Sequence, residues 1–113
     1  MSVPLYPAKA ELFRTLGHPA RIRILELLCE RPHAVREFRE HVGIEASNLS
    51  QQLSVLRRAQ MVVSTRRDGE VVYSISVPEV RDLLLAGRRI LSQLGPEVDL
   101  QWAAPAGQAA ESR

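Results

Sequence analysis

The residues best able to do chemistry lie early in the chain. Cys29, the sole cysteine, stands just before the stretch ERPHAVREFREHVG (residues 30–43), which holds His33 and His41. A thiol and two imidazoles this close together suggest a metal-responsive switch, a thiol redox handle, or pieces of an ordinary helical domain. The spacing counts against a metal. Cys29 and His33 are four residues apart, but Pro32 breaks any helix between them. Cys29 falls on the apolar face of its helix, where cysteine acts as a small hydrophobe. A structural zinc takes four ligands, and this set supplies three candidates. An apolar setting also raises a thiol's pKa and lowers its reactivity, though redox sensing through Cys29 stays open. His41 reads as a solvated surface residue and His18, ahead of Pro19, as the opening of a helix. No metal and no other cofactor is expected.

A second cluster has a different character. Between Ser47 and Arg67 the chain carries four arginines (Arg57, Arg58, Arg66 and Arg67) and no acid, on a protein whose net charge is only +2. Local basic charge on a nearly neutral chain suggests a polyanion partner. Within SNLSQQLSVLRRAQ, Leu49, Leu53 and Leu56 recur at i, i+4 and i+7 and form a buried stripe. At about 100° per residue, Ser47, Gln51, Ser54 and Arg58 fall on the opposite side, flanked by Asn48 and Ser50. A plain surface helix would carry Glu and Lys pairs. Short amides and hydroxyls instead match base edges in the major groove, where Gln and Asn can pair with adenine bidentately. Arg57 and Arg58 suit phosphates beside it.

These side chains need elements to hold them. Residues 1–7 contain two prolines and no periodicity, and read as a flexible arm. Ala8 to Leu16 fits a helix, ended by Gly17. Pro19 suits the first turn of a second helix, strongly periodic over Arg21 to Glu30, which Pro32 stops. His33-Ala34-Val35 is short enough for a small strand. Arg36 to Val42 fits a third helix closed by Gly43, and Ala46 to Ala59 a fourth. The period then changes. Met61 to Arg67 and Glu70 to Ser76 are rich in Val, Thr, Tyr and Ile, and Asp68-Gly69 between them is a hairpin signal, since both turn residues must tolerate positive φ. Pro78 to Leu94 is a long helix. Residues 95–113, rich in Ala and Pro, read as a disordered tail that Trp102 alone could dock. The order α-α-β-α-α-β-β-α, mainly helical with a small β-hairpin, is that of a winged helix-turn-helix. Arg66 and Arg67 precede the tip of its wing.

A chain of 113 residues supports one core. The start lacks a basic region followed by an apolar segment, no apolar run nears the ~20 residues needed to span a bilayer, and one cysteine forms no internal disulfide. A cytoplasmic, nucleoid-associated protein without a membrane partner is expected. Enzyme activity is not expected: there is no Ser-His-Asp arrangement on suitable elements, no Gly-rich phosphate loop and no paired carboxylates in a pocket.

Three ordered blocks, LFRTLGHPARIRILELL, VGIEASNLSQQLSVLRRAQMV and RRDGEVVYSI, resemble the ArsR/SmtB family of winged-helix transcriptional repressors over about residues 9–94. The resemblance implies a homodimer paired through its first and last helices, here Leu12, Phe13, Leu16, Leu83, Leu84, Ile90, Leu91 and Leu94. It implies binding of double-stranded DNA at a promoter inverted repeat, with release on a signal. Metal-sensing members carry Glu-Leu-Cys-Val-Cys-Asp-Leu entering the third helix. The corresponding stretch here is Pro32-His33-Ala34-Val35-Arg36-Glu37-Phe38, with Ala34 and Arg36 at the cysteine positions. A second family site uses Asp and His on the last helix, which here has Glu79 and Asp82 but no histidine. The chain therefore resembles a branch without the metal boxes. A winged-helix module that binds a protein partner is the other reading the sequence leaves open.

Overall fold

The computed structural model describes residues 2–95. Its elements follow the expected order: α1 (Leu5–Leu16), α2 (Pro19–Glu30), β1 (His33–Ala34), α3 (Val35–Val42), α4 (Ala46–Arg58), β2 (Val62–Arg67), β3 (Glu70–Ile75) and α5 (Glu79–Leu94). The expected tail, from residue 96 onward and including Trp102, lies outside the described residues. No helix among them is long and apolar enough to cross a membrane.

The first helix starts at Leu5, three residues ahead of Ala8, so Leu5, Tyr6 and Pro7 of the expected arm are helical. The prolines permit this. Pro4 caps the helix in an extended conformation, and Pro7 falls in the first turn, where no intrahelical bond needs its missing N–H. The second helix opens as its sequence suggests. His18 is the N-cap, its Nδ1 accepting from the Ala20 N–H at 3.1 Å, and Pro19 takes the first helical position. Gly43 closes α3 in the left-handed conformation at φ 77°.

The core lies where α2, α3 and α4 converge. Ile24, Leu25, Leu28, Phe38, Val42, Leu49, Leu53 and Leu56 are all buried, with Met61 and Val62 from the wing base and Val80 from α5 joining them. Burial of each large apolar side chain contributes about 1.5–3 kcal/mol.

The sheet order is β1-β3-β2, antiparallel throughout. In the hairpin, Val62 pairs with Ile75 and Arg67 with Glu70. Asp68 and Gly69 form its turn at φ 54° and 81°, the two positive values a tight hairpin needs. On the other side of β3, His33 pairs with Tyr73 and Ala34 with Val72. The short β1 thus ties the α2–α3 junction to the wing. Phe38 fills the joint. Its ring stacks on His33 with centroids 5.5 Å apart and meets Tyr73 edge-on at 6.4 Å.

Glu37 secures the start of α3. Its carboxylate accepts from the Ala34 N–H at 2.7 Å and from Arg31 Nη2 at 3.0 Å. The backbone bond first and the arginine second hold its pKa down at about 2, below the ordinary 4.5. A carboxylate with a depressed folded pKa stabilises the fold at neutral pH and loses that contribution as acid protonates it. Stability measured by urea unfolding should therefore fall between about pH 5 and pH 2 more steeply in the wild type than in Glu37→Gln, which has no charge there to lose. Parallel curves would remove Glu37 from the acid response.

Candidate nucleic-acid interface

Helices α3 and α4 are joined by Gly43-Ile44-Glu45, and Ile44 packs against the core. This turn sets the second helix across the first, and the leucine stripe fixes its rotation. With Leu49, Leu53 and Leu56 inward, Ser47, Asn48, Ser50, Gln51, Ser54, Arg57 and Arg58 are all exposed. The face expected from periodicity is therefore outward, and its side chains carry no negative charge.

One residue of α4 departs from that division. Gln52 is buried, with 6% of its surface accessible. Its Oε1 accepts from Arg21 Nη1 at 3.0 Å, and its Nε2 donates to Asn48 Oδ1 at 2.9 Å. Arg21, on α2, also donates through Nε to the Thr15 carbonyl at 2.7 Å and through Nη2 to the Arg14 carbonyl at 3.4 Å. These are carbonyls of the last turn of α1, where the Arg14 carbonyl also accepts from the Gly17 N–H at 3.2 Å. Sequence reasoning missed both Arg21 and Gln52. A signal was available: Gln52 stands three residues after Leu49 and four before Leu56, a polar residue on the apolar stripe.

The path from helix to wing is also held by hydrogen bonds. Gln60 adopts φ 64°, and its carbonyl accepts from Ser76 Oγ at 2.6 Å. Arg57 Nη1 reaches Ser64 Oγ on β2 at 3.5 Å, linking the end of α4 to the wing. At the tip, Arg66 and Arg67 are exposed, and Arg66 Nη1 donates to the Gly69 carbonyl at 3.4 Å. Glu70 is an acid beside this basic end. Arg36 of α3 pairs with it at 2.8 Å and offsets its charge.

The residues expected at a dimer interface divide into three groups. Leu12, Phe13, Ile90, Leu91 and Leu94 are exposed, with Leu94 at 76%. Leu83 and Leu84 are partly buried against the core of their own chain. Leu16 is only 7% accessible. It belongs to the chain's own core, because the last turn of α1 folds back onto α2, and it offers little to a partner. Leu5, Tyr6 and Leu85 are exposed apolar residues that the sequence reading left out. The first two were hidden by the late start assigned to α1.

The thiol and imidazoles occupy separate settings. His33 is buried; its Nδ1 donates to the Arg31 carbonyl at 2.8 Å, and its ring packs on Phe38. His41 is exposed on α3. Cys29 is half-buried at the edge of a hollow of about 410 Å³, shared with Ile75, Pro78, Glu79, Arg81 and Asp82. Burial pushes its thiol pKa up, with Arg81 partly opposing. Arg81 also donates to the Cys29 carbonyl. No group of three or more His, Cys, Asp or Glu suited to a metal occurs among the described residues.

Comparison with known proteins supplies the context. Residues 18–64, from the cap of α2 into the wing, match the family model described as bacterial regulatory protein, arsR family. The HTH-type transcriptional regulator Rv0081 of Mycobacterium tuberculosis is 57% identical over 95 residues, 82% of each chain. The crystal structure of M. tuberculosis Rv0081 aligns with a TM-score of 0.75 and 53% identity over 82% of this chain and 94% of that one. The transcriptional repressor BigR from Xylella fastidiosa aligns at 0.68 and 33% identity, over 72% and 83%. A homodimeric winged helix-turn-helix DNA-binding domain from Mycobacterium bovis, Mb0332, aligns at 0.70 over 79% and 82%; at 22% identity it speaks for the fold alone.

The setting of Cys29 has a measurable consequence. Its thiol should react with a disulfide reagent at neutral pH several-fold more slowly in the folded protein than in the urea-unfolded chain. Equal rates would mean that burial does not control it.

Proposed function

The chain belongs to the ArsR family of bacterial regulatory proteins, DNA-binding transcriptional regulators and not enzymes, and from that premise we propose that it is a homodimeric repressor. It binds a promoter inverted repeat in the cytoplasm, on the nucleoid, and does not respond to metal through the family's usual sites. One observation carries this reading: α4 and the adjoining wing strand expose Ser47, Asn48, Ser50, Gln51, Ser54, Arg57, Arg58, Arg66 and Arg67 with no acid among them. In this reading the amides and hydroxyls of α4 meet base edges, Arg57 and Arg58 meet phosphates beside the groove, and Arg66 and Arg67 reach flanking backbone or the minor groove.

Dimerisation is supported by the apolar residues left exposed on α1 and α5, namely Leu12, Phe13, Ile90, Leu91 and Leu94 with Leu5, Tyr6 and Leu85. Scattered apolar side chains need no explanation, but several exposed along one helix, as on α1 and again on α5, favour an interaction surface. A two-fold dimer in turn calls for a two-fold operator. Repression is supported by the likeness to BigR, a transcriptional repressor 33% identical to this chain. Metal independence rests on residue identity. Ala34 offers no ligand, and Arg36 is a cation already paired with Glu70.

The direct test is fluorescence anisotropy of the purified protein on its own upstream DNA, in chelator and reductant, then with zinc added. Tight binding unchanged by zinc is expected; loss with zinc would overturn metal independence, and no binding to any upstream fragment would overturn the operator assignment. With ~6–8 phosphate contacts per dimer, log affinity should fall against log salt with a slope of about −5 to −7. Gln51→Ala should cost about 1–3 kcal/mol of discrimination between operator and random DNA. Arg58→Ala should weaken both equally, and the reverse pattern would exchange the two roles. Leu91→Asp, at an exposed position, should leave helicity intact and shift sedimentation from dimer to monomer; an unaltered dimer would place the interface elsewhere.

A further inference from the structure

Arginine is a hydrogen-bond donor only, and this gives one chain of contacts a fixed direction. The Arg21 guanidinium donates to Gln52, so the Gln52 amide must turn its oxygen toward α2. Its nitrogen then faces the other way, toward Asn48 Oδ1. Were the amide reversed, it would set N–H against N–H at Arg21 and leave a buried polar group without a partner. The same logic passes to Asn48. Its Oδ1 is turned back to receive the Gln52 proton, which leaves Nδ2, a donor, on the exposed face of α4. The polarity of one surface amide is thus set by a cation two side chains away, itself held by the carbonyls of Arg14 and Thr15.

We propose that Asn48 is a specificity-determining residue that presents a donor to the major groove, and that Gln52 and Arg21 are positioning residues that set this polarity. The edge that fits is an acceptor, O6 or N7 of guanine, O4 of thymine or N7 of adenine, whereas cytosine offers only a donor. Bidentate pairing with adenine needs the oxygen and the nitrogen of the amide turned together toward the base, and Asn48 Oδ1 is turned to Gln52 instead. This revises the sequence expectation for Asn48 while leaving it open for Gln51. The inference rests on the DNA-binding reading above.

The test uses the full chain and a library of random-sequence duplexes, with bound sequences read after selection. Gln52→Glu keeps an acceptor for Arg21 but has no proton for Asn48, so the Asn48 amide reverses to donate inward and turn its oxygen outward. One position in each half-site should then change base preference roughly tenfold, away from guanine or thymine, while the other positions hold. Asn48→Asp, at an exposed site and so without a packing cost, removes the donor itself and should abolish the preference at that same position. Thermal unfolding of each variant reports whether it is folded. If Asn48→Asp changes the site and folded Gln52→Glu does not, the relay is wrong. If the position sensitive to Asn48→Asp selects cytosine in the wild type, whose major-groove edge offers only a donor, the polarity is wrong. A wild-type chain that enriches no sequence sinks the DNA-binding reading along with the relay, whereas a normal wild-type site shared unchanged by both variants sinks the relay alone.

Discussion

The rotation of α4 about its own axis governs the rest of the molecule. Leu49, Leu53 and Leu56, at 1%, 2% and 0% accessibility, lock that rotation against α2 and α3. Turning the helix by one residue would bring at least one leucine into water and draw Asn48 one way, or Ser50, Ser54 and Arg57 the other, into an apolar core, a loss of several kcal/mol. The outward set of amides, hydroxyls and arginines is therefore a consequence of core packing. A substitution among the buried leucines would disturb the exposed face without touching it.

Polar ties add direction to what packing holds in place. The pair Arg36–Glu70 is exposed on both sides, at 64% and 45%, and such pairs contribute about 0–1 kcal/mol. Stability is a poor account of it. It joins α3 to the wing and offsets an acid next to Arg66 and Arg67, which bears on the field at the tip. The contacts of Arg21 with Gln52 are different in kind, because one partner is buried and an error in hydrogen bonding there has no solvent to relieve it.

Much of this was legible in the sequence, wherever the signal was local. The leucine period in α4, the Asp-Gly turn and the His18-Pro19 helix opening each depend on a few neighbouring residues, and each holds in the structure. What escaped was set by distance or by an ambiguous residue. Pro7 was read as a mark of irregular chain, yet the first turn of a helix tolerates it equally well. The pairing of β1 with β3 joins residues some forty positions apart, and no local pattern specifies it. Leu16 shares its sequence signature with the exposed apolar residues of α1, and only the packing of α1 on α2 separates them. Gln52 is a buried polar residue on an apolar stripe, and its partner, Arg21, lies on another helix.

The wing is clamped along most of its length. Midway along it β1 pairs with Val72 and Tyr73, and nearer the turn the exposed pair of Arg36 with Glu70 adds a weaker tie. A strand held this way behaves as a ruler. The distance from α4 to the middle of the wing is set by the fold. For a DNA-binding regulator, the reach of Arg66 and Arg67 from α4 is thereby a property of the fold and not of the duplex it meets.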